Sequence, residues 1–169
     1  RLLRKEIYEA KRNLNKTSSI FRILIIGGSQ GASFFDNKIK EVINKFSKNN
    51  NIKILQQVSN EKDKVEIMKI YDSLKINYEL FLFDKKLYEK MQDIDLAITR
   101  CGASALSDLA YFNIPFIAIP FPYAKDNHQY YNAKYFSDLN CCWLLEQNKV
   151  HTNKILDLLL SIINDKSEY

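Results

Sequence analysis

The sequence predicts an α/β fold: a Rossmann-like parallel sheet with helices on both faces. Three observations predict it. Apolar runs alternate with segments of helical period along the whole chain, the order that builds right-handed βαβ units. Runs such as "RILIIG" (22–27) and "DLAIT" (95–99) are apolar at consecutive positions, as in strands covered on both faces. A chain of 169 residues, 46% hydrophobic and 27% charged, fits one compact domain, here 1–169, with a real core.

Each element follows from its own pattern. Residues 4–14 read as a helix with Ile7, Ala10 and Leu14 on one side, and 15–19 as a polar linker. Residues 21–26 are a nearly continuous apolar strand. In 32–47, Phe35, Ile39, Val42, Ile43 and Phe46 keep the helical period. Strand 52–58 is followed by helix 61–74, and strand 78–83 by a short helix over 85–91. Strand 95–99 leads to helix 103–112, strand 115–119 to helix 127–139, and a last strand 142–145 to a closing helix over 152–164.

The bulk properties exclude several classes. The formal charge is +5, but the lysines are scattered and interleaved with Asp and Glu. No nucleic-acid partner is expected, and weak attraction to an anionic membrane surface fits better. The longest nearly apolar run, 114–123, is about half a membrane span and is interrupted by proline. There is no signal-peptide pattern. The first residue is Arg1, which reads as a processed terminus or a piece of a longer chain. The cysteines are Cys101, Cys141 and Cys142, and the histidines are His128 and His151. With no C-x-x-C or H-x-x-x-H spacing, no metal site is expected. An odd cysteine count without a framework points to a reducing compartment.

In such sheets, ligands bind at the carboxyl ends of the strands, and three motifs collect there. "GGSQG" carries three of the chain's four glycines, including Gly28 and Gly31 around Ser29 and Gln30. It is neither G-x-G-x-x-G nor G-x-x-x-x-G-K-[ST]. It still joins a buried strand to a helix start, where free N–H groups and the helix dipole favour an anion. By itself the loop reads equally as a phosphate cradle or as a tight turn that binds nothing. In "TRCGASALSDLA", Gly102 precedes a helix opened by Ala103, Ser104 and Ala105, with Asp108 about one turn further in. Asp108 is either an acceptor for vicinal hydroxyls, as acids are for ribose, or a solvated helix carboxylate. In "PFPYAKDNHQYYNA", Asp126 is placed to cap a helix whose first turn carries His128, Gln129 and Asn132. That set suits a polyhydroxylated ligand, or else belongs to a well-capped amphipathic helix. His128 has no serine or cysteine nucleophile at motif spacing, so no catalytic triad is expected.

Taken together and in this order, the motifs resemble the C-terminal domain of the MurG family, the N-acetylglucosaminyltransferases of peptidoglycan synthesis. The matching pieces are "GGSQGA", F-x-x-x-[LM] at Phe83 to Leu87, R-x-GA at Arg100 to Ala103, the acid Asp108, "PFP", and D-x-x-Q-x-x-NA at Asp126 to Ala133. The resemblance covers essentially the whole chain. It implies one half of a GT-B glycosyltransferase, in which two Rossmann-like domains face each other across a cleft. The half seen here is the one that binds UDP-GlcNAc. The acceptor, lipid I, is implied to sit on an N-terminal domain that this chain lacks, at the cytoplasmic face of the bacterial inner membrane.

The resemblance also implies roles. Arg4 falls where the family has an arginine just after the interdomain crossing. Gly28, Ser29, Gln30 and Gly31 hold the diphosphate. Phe83, the backbone of Asp84, and Leu87 frame the uracil. Gly102, Ala103, Ser104 and Ala105 form the helix end facing the phosphates. Asp108 stands in for a family glutamate at the ribose and is one methylene shorter. His128 and Gln129 meet the GlcNAc hydroxyls, and Asn132 supports their loop. The implied reaction is an inverting transfer that yields lipid II. It needs no cofactor, and no D-x-D metal motif is present. The general base belongs to the other domain, so no catalytic residue is assigned here. Alternatives are the soluble UDP-sugar-binding half of another split GT-B enzyme, or a non-catalytic nucleotide-binding fragment.

Overall fold

The computed structural model describes residues 19–28 and 35–164. The helix expected over 4–14, Arg4, and the loop residues Ser29, Gln30 and Gly31 lie outside the described residues. Six strands form one sheet: β1 (Phe21–Ile26), β2 (Ile52–Gln57), β3 (Asn77–Phe81), β4 (Leu96–Thr99), β5 (Phe116–Ala118) and β6 (Cys142–Leu144). Their order is β3-β2-β1-β4-β5-β6, and every neighbouring pair is parallel. The chain winds outward from β1 to one edge, then crosses back to β4 beside β1 and winds to the other. The helices that follow β1 and β4 lie on opposite faces, so the middle of the sheet is a topological switch point, where ligand crevices form in such sheets.

Helices cover both faces, as the consecutive apolar positions require. Along β1, Ile23 and Ile25 point to one face and Leu24 to the other, the period of two that a strand imposes. All three are fully buried. On the first face lie α1 (Lys40–Ser47), α2 (Glu61–Ser73) and α6 (Thr152–Asn164). They contribute Val42, Ile43 and Phe46, then Ile67 and Tyr71, then Ile155, Leu159 and Ile162. On the second lie α3 (Leu87–Met91), α4 (Ala103–Tyr111) and α5 (His128–Asp138), which contribute Met91, Leu106, Leu109 and Ala133. A buried polar pair joins β2 and α2: the Tyr71 hydroxyl donates to Gln56 Oε1 at 2.6 Å. Among the described residues, no helix is long and apolar enough to cross a membrane.

Three details depart from the sequence expectations. The helix expected over 32–47 enters through a π-helical turn, Phe35–Ile39, before α1, and this wider turn still buries Ile39 completely. Strand β3 stops at Phe81 and α3 starts only at Leu87. The Asp84 carboxylate accepts the Lys86 N–H at 2.8 Å, so a local side-chain turn replaces the first helical turn. Finally, Asp126 does not cap α5. It sits in a short 3₁₀ turn, Lys125–Asn127, at φ 51. Asn127, at φ 54, precedes α5 without a side-chain cap bond, because two successive left-handed residues swing the side chains away from the helix axis.

Candidate functional site at the strand carboxyl ends

The carboxyl ends of β1 and β4 lie side by side, since Arg100 N–H donates to Ile26 O at 3.0 Å. Gly28 closes the described part of the first loop at φ +67, with open space where a Cβ would be. The backbone conformation, not crowding, calls for glycine there. Gly102 stands before α4 in an ordinary extended conformation, φ −65 and ψ 136, and, being glycine, brings no capping side chain of its own. Ala103 and Ser104 are exposed and Ala105 is half-buried. Small residues and free N–H groups at a helix start are the features that accept an anion. Asp108 lies in the body of α4 and is only 7% exposed, so it is not a solvated helix carboxylate.

Side chains from α5 tie the β4 and β5 exits together. Gln129 Oε1 accepts the Cys101 N–H at 3.1 Å and the Phe121 N–H at 3.0 Å. Both partners are donors, so the facing atom must be the amide oxygen. The Gln129 NH2 group is thereby turned the other way. Asn132 Nδ2 donates to Cys101 O at 3.1 Å. His128 is exposed. Its Nδ1 meets Lys125 O at 2.6 Å. A carbonyl only accepts, so Nδ1 carries the hydrogen.

Arg100 was quoted in the R-x-GA motif but given no role by the sequence. It proves to be the deepest charged group of the rim, at 4% exposure. Nη1 donates to Ile119 O at 3.1 Å and Pro120 O at 3.2 Å, and Nη2 to Gln147 Oε1 at 2.6 Å. The guanidinium lies 5.5 Å from the centroid of Phe121. One side chain just after β4 thus reaches the loops after β5 and β6. Burial pulls its pKa down to about 10, so it remains charged at neutral pH. Gln147 was not anticipated either: it belongs to a 3₁₀ turn, Gln147–Lys149, with no motif around it.

The remaining candidates sit on the other side of the crevice. Phe83 follows β3 and is 73% exposed. Asp84 is half-buried, and Lys90 Nζ meets its Oδ2 at 2.7 Å. The Lys90 bond, then the Lys86 N–H, hold the Asp84 carboxyl below its ordinary pKa. Leu87 packs against the second core. The β3 and β1 exits are separated by β2, two strand spacings or about 10 Å. The end of β1, the end of β4 and the α5 residues Gln129 and Asn132 are linked through Arg100 and Cys101. Phe83, Asp84 and Leu87 form a separate flank of the same edge.

The cysteines divide sharply. Burial pushes Cys101 far above the ordinary thiol range and Cys142 up to about 12, whereas Cys141 is exposed. A thiolate is the reacting species, so alkylation at pH 8 is expected to label Cys141 first. Cys101 and Cys142 should lag by at least about a hundredfold. A mass-spectrometric time course that labels all three together would contradict this packing.

Residues 22–169 match the glycosyltransferase family 28 C-terminal domain. A UDP-N-acetylglucosamine–N-acetylmuramyl-(pentapeptide) pyrophosphoryl-undecaprenol N-acetylglucosamine transferase from Pelagibacter ubique is 44% identical over 168 residues, covering 99% of this chain and 47% of the relative. The chain thus spans about half the length of the curated relatives it matches. The crystal structure of Acinetobacter baumannii MurG superposes with a TM-score of 0.77 at 21% identity, over 88% of this chain and 42% of that one. The C-terminal CMP-Kdo binding domain of WaaA from the same organism superposes with a TM-score of 0.61 at 10% identity, over 88% of this chain and 83% of that one. The parallel six-stranded sheet, its switch point between β1 and β4 and the match along 22–169 agree, and the chain belongs to the C-terminal domain family of the family 28 glycosyltransferases.

Proposed function

We propose that this chain is the donor-binding half of an inverting glycosyltransferase that moves GlcNAc from UDP-GlcNAc to lipid I, giving lipid II. The observation that carries it is the middle of the sheet: Gly28 and the start of α4 follow the paired strands β1 and β4, and Asp108 is buried within α4. The names of the related transferases supply the donor and acceptor.

On this reading the loop from Gly28 to Gly31, with Ser29, and the N–H groups of α4 receive the diphosphate. As the glycosidic bond breaks, negative charge grows on the departing UDP. Preorganised N–H groups stabilise that charge without reorganising. Asp108 takes the ribose hydroxyls, and Phe83 and the Asp84 backbone take the uracil. His128 and the outward-turned NH2 of Gln129 meet the sugar. The acceptor and the general base belong to the part of the relatives' length that this chain does not span. The +5 charge suits peripheral work at an anionic cytoplasmic membrane face.

A calorimetric titration with UDP-GlcNAc, beside UDP-glucose and ADP-glucose, tests the site. Both uridine compounds should bind, ADP-glucose should not, and the chain alone should transfer no sugar. Absence of heat with UDP would remove the assignment. Asp108→Asn should weaken UDP about tenfold, the loss of one charge-assisted hydrogen bond. Unchanged affinity, in a variant whose melting curve shows it folded, would end the ribose role.

A further inference from the structure

Phe83 is 73% exposed, so no packing fixes the ring. Its position comes from the backbone on either side. Before it, Leu82 O accepts Gln57 Nε2 at 3.1 Å. After it, Asp84 accepts the Lys86 N–H with Oδ1 at 2.8 Å and the Lys90 ammonium with Oδ2 at 2.7 Å. The same ammonium bonds Glu79 of β3. Lys90 belongs to α3, so one cation ties strand and helix together across the loop between them.

We infer that Lys90 is a positioning residue for the base end of the donor site: by bridging Glu79 and Asp84 it holds the loop that presents Phe83 and the Asp84 backbone. This rests on the reading that the base lies there. The local charge makes the lysine necessary. Two carboxylates converge on one ammonium, and its removal leaves like charges facing each other, with only the weaker attraction of Lys86 left on Asp84. The loop then opens at the turn that Asp84 makes with Lys86. The side chains are 35% (Lys90), 45% (Glu79) and 19% (Asp84) exposed, so the bridge is partly screened and the core does not depend on it.

The test uses the full chain and its Lys90→Met, Lys90→Arg and Glu79→Gln variants. UDP and inorganic pyrophosphate are titrated into each, and amide hydrogen exchange over residues 83–87 is followed without ligand. Lys90→Met should weaken UDP about fivefold, the upper end for a partly exposed ion pair, and leave pyrophosphate unchanged. Exchange at the Lys86 amide should rise. Lys90→Arg should restore most of the affinity, and Glu79→Gln, which removes one of the opposing charges, should fall between. Equal weakening of UDP and pyrophosphate, or wild-type exchange in Lys90→Met, overturns the inference. A wild-type chain that binds no UDP, with exchange still raised in Lys90→Met, overturns the functional reading and leaves the loop clamp standing.

Discussion

Replacing Arg100 with methionine is expected to destabilise the domain by about 3 kcal/mol and to lower its melting temperature by roughly 6–12 °C. The stem packs equally well as methionine, so the loss comes from the fork. Ile119 O, Pro120 O and Gln147 Oε1 each accept from the guanidinium. These acceptors lie where β5 and β6 leave the sheet, and without the donor they must find water in a closed space. Part of the cost is offset because a charged group no longer has to be kept out of water, which already lowers the Arg100 pKa to about 10. Arg100→Lys keeps charge but cannot reach three divergent acceptors from one nitrogen. It should lie between wild type and Arg100→Met in urea unfolding. A methionine variant as stable as wild type would mean that the fork does not hold the loops. UDP binding should weaken as well, because Ile119 and Pro120 lead into the backbone at Phe121 that Gln129 grips.

The sheet was legible because its signal is collective. Ile23, Leu24 and Ile25 are apolar in sequence for the same reason that they are all buried: helices cover both faces of β1. The helical stripe Val42, Ile43, Phe46 works in the same way. The boundaries were less legible, because they turn on single side chains. Asp84 captures the Lys86 N–H and delays α3, and the left-handed Asp126 and Asn127 undo a cap that composition alone favours. The rim was legible as a set of motifs, yet the geometry that joins them was not. Arg100 and Gln147 are 47 residues apart, and Lys90 and Glu79 lie on different elements. Nothing local in the sequence marks such a pair.

On the proposed reading, Gln129 separates support from recognition in one side chain. Its oxygen accepts two backbone N–H groups, from Cys101 and Phe121, and the proposal gives its NH2 group to the sugar. Gln129→Leu removes both functions. Two N–H groups lose their acceptor in a partly buried place, at a cost of about 2–4 kcal/mol, and the β4 and β5 exits separate. Gln129→Glu keeps an oxygen for the two N–H groups but has no donor for a sugar hydroxyl. Its urea midpoint should stay well above that of Gln129→Leu. Its affinity for UDP should remain near wild type, while the extra affinity for UDP-GlcNAc over UDP should disappear. If Glu and Leu destabilise alike, the acceptor is not what holds the loops. If Gln129→Glu keeps the preference for UDP-GlcNAc, the amide does not touch the sugar. The outcome then falls to His128, whose Nδ1 is engaged by Lys125 O and which stands exposed at the start of α5.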